Sequence, residues 1–208
     1  MGKSKKHFRH SHKSSTDVKW MMNRIAQESR MAERSAETAA AVLCLYNTMM
    51  VFGFKQKRLT DLASEISVVL NQIWDGELDY NDILNEVRTK VKGEYIDTSV
   101  YTPDQITKKK GSYGWYIDYI QLGPQNRINT TAIQYQMVCI YCLTKRGYGL
   151  QRIEKWADNL DTIIKDYQVN KQTIAQWREA LLDNGVWVEN PIDPMTGNNF
   201  SVMTGVGM

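Results

Sequence analysis

Apolar residues recur along this chain at three- and four-residue intervals, in two series that resemble each other. The first series opens with "DVKWMMNRIAQESRMAERSAETAAAVLCLYNTMM", which holds neither Gly nor Pro and is rich in Ala, Met, Arg and Glu. These are good helix formers, and the stretch predicts a long helix over about 17–51, with Ser14 to Asp17 supplying N-cap residues. Its first half is polar on most faces and is expected to project or to pair with a partner helix; from Ala39 it is apolar nearly all round. A second helix is expected over 57–75, where Leu59, Leu62, Ala63, Ile66, Val69, Leu70 and Ile73 make one stripe. Asp79 is placed to cap a third helix carrying Tyr80, Ile83 and Val87 on one face.

Residues 93–128 interrupt this pattern with Pro, Gly and a Lys triplet. Within them "SYGWYIDYIQL" is aromatic and β-branched and predicts a short strand bounded by "LGP". A helix capped by Asn129 or Thr130 and reaching about Arg146 then opens the second series. Shifting the ten apolar positions of the first series by 94 residues lands on Ile153, Trp156, Ala157, Leu160, Ile163, Ile164, Tyr167, Ile174, Trp177 and Leu181. All ten stay apolar. After the last helix and Gly185, "VWVENPIDPMTGNNFSVMT" predicts a β-hairpin, the element order of a winged helix-turn-helix.

The expected fold is therefore mainly α. Two similar three-helix lobes are joined by a strand-containing linker, and the second ends in a winged-helix-like hairpin. The expected organisation is a basic arm at 1–16, an N-terminal helical lobe at 17–97, a linker at 98–128 and a C-terminal lobe at 129–208.

Between the first and second helix of each series stands the same device. "VFGFKQKRL" and "KRGYGLQRI" place Gly53 with Gly147, Phe54 with Tyr148 and Arg58 with Arg152, all 94 residues apart. Gly suits the left-handed residue that ends a helix, the aromatic can pack into the corner, and Arg is in reach of the preceding helix's orphan carbonyls. That scaffolding role competes with a second one, in which both Arg side chains stand exposed to contact phosphate or a partner.

Composition narrows the function classes. Of 208 residues, 42% are hydrophobic and 24% charged, and the net charge of +3 indicates neither an acidic nucleic-acid mimic nor a uniformly basic coat. The positive charge is instead concentrated. Residues 1–13 contain Lys3, Lys5, Lys6, Arg9 and Lys13 with three His and no acid, an arm attracted to phosphate or to acidic protein surface. It lacks the apolar core of a secretory signal, and no unbroken apolar run approaches a membrane span, so a cytoplasmic protein without membrane contact is expected. Lys108, Lys109 and Lys110 precede Tyr113 and Trp115, offering phosphate neutralisation beside stacking surface, or else a solvated turn leading into a strand whose aromatics face the core. On the last helix Lys171, Gln172, Gln176 and Arg178 would face outward as a recognition surface, though Glu179 and Asp183 there would repel phosphate.

No nucleophile–base–acid set, phosphate loop or His-Glu-x-x-His motif is present, and no His follows His12. Three cysteines, Cys44, Cys139 and Cys142, make no disulfide framework, and "CIYC" lacks the further ligands zinc needs. No cofactor, metal or catalytic residue is expected.

The stretch from Val42 to Val91, carried by Gly53, Phe54, Arg58, Leu59 and Asp82, resembles small accessory proteins of Gram-positive phages and mobile elements. Those share a Gly-Phe-Gly-x-x-Arg-Leu-like corner between helices. Lys55 replaces the second Gly here, while the second copy has Gly149 in that place. The resemblance implies phage origin, action inside a bacterial host cell, and work on nucleic acid, replication machinery or host defence.

The function expected is thus a non-enzymatic accessory protein binding nucleic acid or a host nucleoprotein. Two alternatives stand beside it: an anti-CRISPR-type inhibitor that holds a host effector nuclease through protein contacts, and a self-assembling structural protein whose 17–51 helix forms the homo-oligomer seam. Binding through the Lys triplet predicts that changing Lys108, Lys109 and Lys110 together to Glu weakens nucleic-acid affinity at least tenfold at low salt, measured by fluorescence titration.

Overall fold

The computed structural model describes residues 15–90, 123–170 and 173–189 of the chain. Six helices lie within them: α1 (Ser15–Phe52), α2 (Gln56–Trp74), α3 (Tyr80–Lys90), α4 (Gly123–Lys145), α5 (Leu150–Val169) and α6 (Thr173–Asp183). With α1 at 38 residues, its axis runs about 57 Å at 1.5 Å per residue.

Local chemistry sets the helix ends. Gly53 and Gly147 have φ of 63° and 85°, a region closed to most L-residues. The Gly53 N–H donates to the Met49 carbonyl, closing α1 with a single bond. At the second corner Gly147 N–H reaches Thr144 O and Tyr148 N–H reaches Leu143 O, the paired bonds of a Schellman ending. Asp79 Oδ1 accepts the Asn81 N–H at 2.8 Å and so caps α3. The 94-residue shift holds for whole elements: moved by it, α2 starts where α5 starts, and α3 falls within one residue of α6.

Packing joins the two series in an exchanged fashion. The central pair is α1 against α4; α5 and α6 pack on α1, whereas α2 and α3 pack on α4. Each series thus supplies the cover for the other's first helix, and the pattern is preserved when the two are interchanged. The buried side chains form one continuous core, with Leu59, Leu62 and Ile66 matching Ile153, Trp156 and Leu160. Each such fully buried side chain contributes roughly 1.5–3 kcal/mol of transfer free energy.

The core carries a polar crossing. Asn47 and Thr48 of α1 are fully buried. Asn47 Nδ2 donates to the Trp156 carbonyl at 2.8 Å, and Asn159 Nδ2 donates to Asn47 Oδ1 at 2.7 Å. Trp156 Nε1 donates to Thr48 Oγ1 at 2.9 Å, and that hydroxyl donates to Cys44 O at 2.7 Å. The crossing fixes α5 on α1 in both rotation and register, because a shift by one residue would strand buried donors. The ring of Tyr46 stacks on Trp177, with centroids 5.6 Å apart, and seats α6 on the same helix.

Three sequence expectations are corrected. The described residues contain no β-strand. The expected hairpin begins where Val186 and Val188 are buried and Trp187 is 76% exposed, so the alternation is real. It arises because an extended segment lies on helices: Val188 O accepts from Arg178 Nε at 3.0 Å instead of from a second strand. Residues 190–208, and the expected linker strand at 112–122, fall outside the described residues. "LGP" starts α4 where a boundary turn was expected, since Pro lacks only an N–H that the first helical turn leaves unpaired anyway. The two separate lobes are replaced by one shared core. Apart from these corrections, Arg30–Phe52 is long and apolar enough by composition to cross a membrane, although it contains no unbroken apolar run. Here that segment is the central core helix, in contact with α2, α4, α5 and α6.

The Asn47→Ala variant should be destabilised by about 2–3 kcal/mol, since it removes two bonds and leaves a buried carbonyl and amide unpaired. Urea unfolding should show a lower midpoint with an unchanged slope.

Candidate nucleic-acid interface

The exposed side of α1's first half is cationic. Lys19, Trp20, Asn23, Arg24, Gln27, Arg30, Met31 and Arg34 are all exposed and recur at three- and four-residue spacing, which puts them on one arc of the helix. The helix turns its opposite arc inward, where Ala32, Ser35 and Ala36 are buried. Among the described side chains of the exposed arc four are cations and none is an acid. The Arg24 guanidinium lies 5.7 Å from the Trp20 ring, a cation–π pair that holds both side chains at the surface. Arg34 closes the arc by pairing with Glu189. Burial pushes the nearby Glu37 carboxyl above its usual range, with Arg34 opposing the shift. Residues 1–13, with the five cations of the basic arm, lie immediately upstream in sequence.

A second cationic surface forms where the two glycine corners meet. Phe52 lies 4.4 Å from Tyr148, and Phe54 lies 5.8 Å from it, so the device repeated in sequence is also joined in space. The Arg58 guanidinium sits 5.8 Å over the Phe54 ring, and the Arg152 guanidinium 5.7 Å over the Tyr148 ring. Neither takes the expected position on the orphan carbonyls, of which Met49 O, Leu143 O and Thr144 O accept backbone N–H groups of the turns. The i to i+4 spacing of aromatic and Arg in the first turn explains this, because it brings the guanidinium above the ring. Lys55, Lys57 and Lys155 are exposed within three residues of Phe54, Arg58 or Arg152 in sequence. Neither α2 nor α5 has a side-chain N-cap or an acid in its first turn. Cations at these positive helix ends run against the local dipole preference, a cost of a few tenths of a kcal/mol each. Two neighbouring cations are neutralised: Arg146 pairs with Glu65 and Lys145 with Glu86, each at 2.8 Å.

Most residues singled out in the sequence fall elsewhere. Lys3, Lys5, Lys6, Arg9, Lys108, Lys109, Lys110, Tyr113, Trp115, Lys171 and Gln172 lie outside the described residues. Gln176 is exposed. Arg178 does not face outward as a base-reading side chain: its Nε holds the Val188 carbonyl and its Nη1 lies 3.6 Å from Glu179. Together with Gln56 Nε2 on Gly185 O at 2.9 Å, it straps the segment after α6 to the helices. With no strand behind that helix among the described residues, the winged recognition surface is withdrawn. Sequence reasoning passed over Lys19, Trp20, Arg24 and Arg30, although their spacing along one helical arc was readable. It also passed over Lys55, Lys57 and Lys155, whose proximity depends on the meeting of the corners.

The cysteines are packing groups. Cys44, Cys139 and Cys142 are buried at the α1–α4 contact, and no cluster of three metal-ligating side chains occurs among the described residues. Burial, reinforced by the Cys139 charge, pushes Cys142 from the ordinary thiol value near 9 up to about 12. The chain matches no family model, no curated protein and no solved structure.

Because folding raises the Cys142 pKa, the unfolded chain releases its proton first once pH exceeds 9. Stability should therefore hold up to about pH 9 and then fall toward pH 12, by at most about 1.4 kcal/mol per pH unit from this thiol. Urea midpoints measured between pH 8 and 11 should drop less steeply in Cys142→Ala.

Proposed function

We propose that this protein is a non-enzymatic nucleic-acid-binding protein that attaches through charge and stacking. One observation carries the reading: Lys19, Arg24 and Arg30 stand on one exposed arc of α1 with Trp20, directly after an arm of five cations. A helix with cations along one arc neutralises phosphates along a groove or strand, and the basic arm adds further positive charge. The indole offers a face on which an unpaired base can stack. On this reading α1 supplies the contact surface expected of the last helix and its hairpin, and the basic arm keeps the role of electrostatic attraction expected of it. The resemblance of residues 42–91 to phage accessory proteins supports a role in a bacterial host cell, acting on nucleic acid there.

Fluorescence anisotropy with labelled duplex DNA, single-stranded DNA and duplex RNA tests the reading. Affinity should fall steeply with salt. The triple change Lys19→Glu, Arg24→Glu, Arg30→Glu should weaken binding at least tenfold and reduce the slope of log affinity against log salt by about 2–3. Absence of binding to all three probes at low salt would overturn the proposal.

A further inference from the structure

The two cationic surfaces stand at opposite ends of α1. From Arg24 to Phe52 is 28 residues along one helix, about 42 Å at 1.5 Å per residue. The first surface is the exposed arc at Lys19, Arg24 and Arg30; the second is the corner, where the exposed Arg58 and Arg152 lie over the Phe54 and Tyr148 rings and the exposed Lys55, Lys57 and Lys155 lie within three residues in sequence. Between them α6 lies on α1, its end held at the corner by Asn184 Nδ2 on Phe54 O (3.4 Å) and its following segment held at Arg34 by Glu189. The bridge exposes no cation: its one Arg is turned onto Val188 O, while Glu179 lies beside that Arg178, Glu189 pairs with Arg34, and Asp183 is exposed. A stretch that exposes carboxylates and no cation therefore separates two cationic surfaces, and a phosphate backbone following α1 from one to the other would find nothing there to neutralise it.

We infer that the protein is a bridging factor, holding one nucleic-acid segment at the α1 arc and a second at the corner. The inference rests on the nucleic-acid reading above and adds to it the number of segments held. A rigid helix fixed in a shared core sets the distance between the two segments, so a single copy suffices to join them.

The test uses the full-length protein, a biotinylated 30-base-pair DNA duplex on beads and a second, fluorescent 30-base-pair duplex free in solution, with a parallel arm using RNA duplexes. Wild-type protein should bring the fluorescent duplex to the beads, with a maximum near equimolar protein and loss at excess protein as each duplex acquires its own copy. The triple change Lys55→Glu, Lys57→Glu, Lys155→Glu should lower capture at least tenfold while binding to one duplex, followed by anisotropy, persists. These three lysines are exposed, and retained helical circular dichroism confirms that the variant folds. Tight anisotropy binding with no capture would overturn the bridging inference and leave the binding function standing. Capture that survives the triple change, or that comes from a protein shown by light scattering to be a dimer, would overturn it as well. Absence of anisotropy binding would overturn both.

Discussion

A buried amide organises this molecule. Asn47 sits near the C-terminal end of α1 with no solvent contact, receiving from Asn159 and donating to the Trp156 carbonyl, while the neighbouring Thr48 takes the Trp156 indole N–H. Apolar faces alone would let α5 slide along α1 by a turn at modest cost, since Leu, Ile and Ala substitute for one another in a loosely specified groove. Directional bonds in a low-dielectric interior remove that freedom, because every alternative register leaves a polar group without a partner. Once α5 is fixed on α1, Tyr148 is brought to Phe52 and Phe54, and the two corners become one surface.

The exchanged packing gives the repeat its meaning. A three-helix unit whose first helix were covered by its own second and third helices would make two independent lobes. Here each first helix is covered by the other unit's helices, and α1 and α4 face each other at the centre. Large side chains on one side are met by small ones on the other: Trp156 fills the place that Leu62 holds in the first series, and Ala32, Ala36 and Ala40 let the neighbours of α1 approach closely.

What the sequence could show followed the range of the interactions. Helix phase, the glycine endings at 53 and 147 and the Asp79 cap depend on residues within a few positions of each other, and all were readable. Which helix covers which depends on contacts such as Asn47 with Trp156, 109 residues apart, and no local pattern encodes that. The strand at 186–189 was misread because alternation of Val, Trp and Val reports only two-sided exposure; a helix surface produces it as well as a partner strand. Arg58 and Arg152 were assigned to carbonyls because the corner offered them, yet each guanidinium lies over the aromatic ring four residues before it. Of the candidate interface, the cations of α1 were visible in principle through their spacing, whereas the corner surface exists only because two distant turns meet.

The exchanged cover also governs the order in which the protein can be made. During synthesis α1, including the apolar stretch from Arg30 to Phe52, leaves the ribosome more than 90 residues before α5 and α6, which are needed to cover it, are complete. At translation rates of about 5–20 residues per second, that helix waits some seconds with its core face open. The α2–α3 pair waits likewise for α4. The cover of α1 is therefore completed only when α5 and α6 have been made, late in synthesis. The nascent first half is a natural client for chaperones that shield apolar helices.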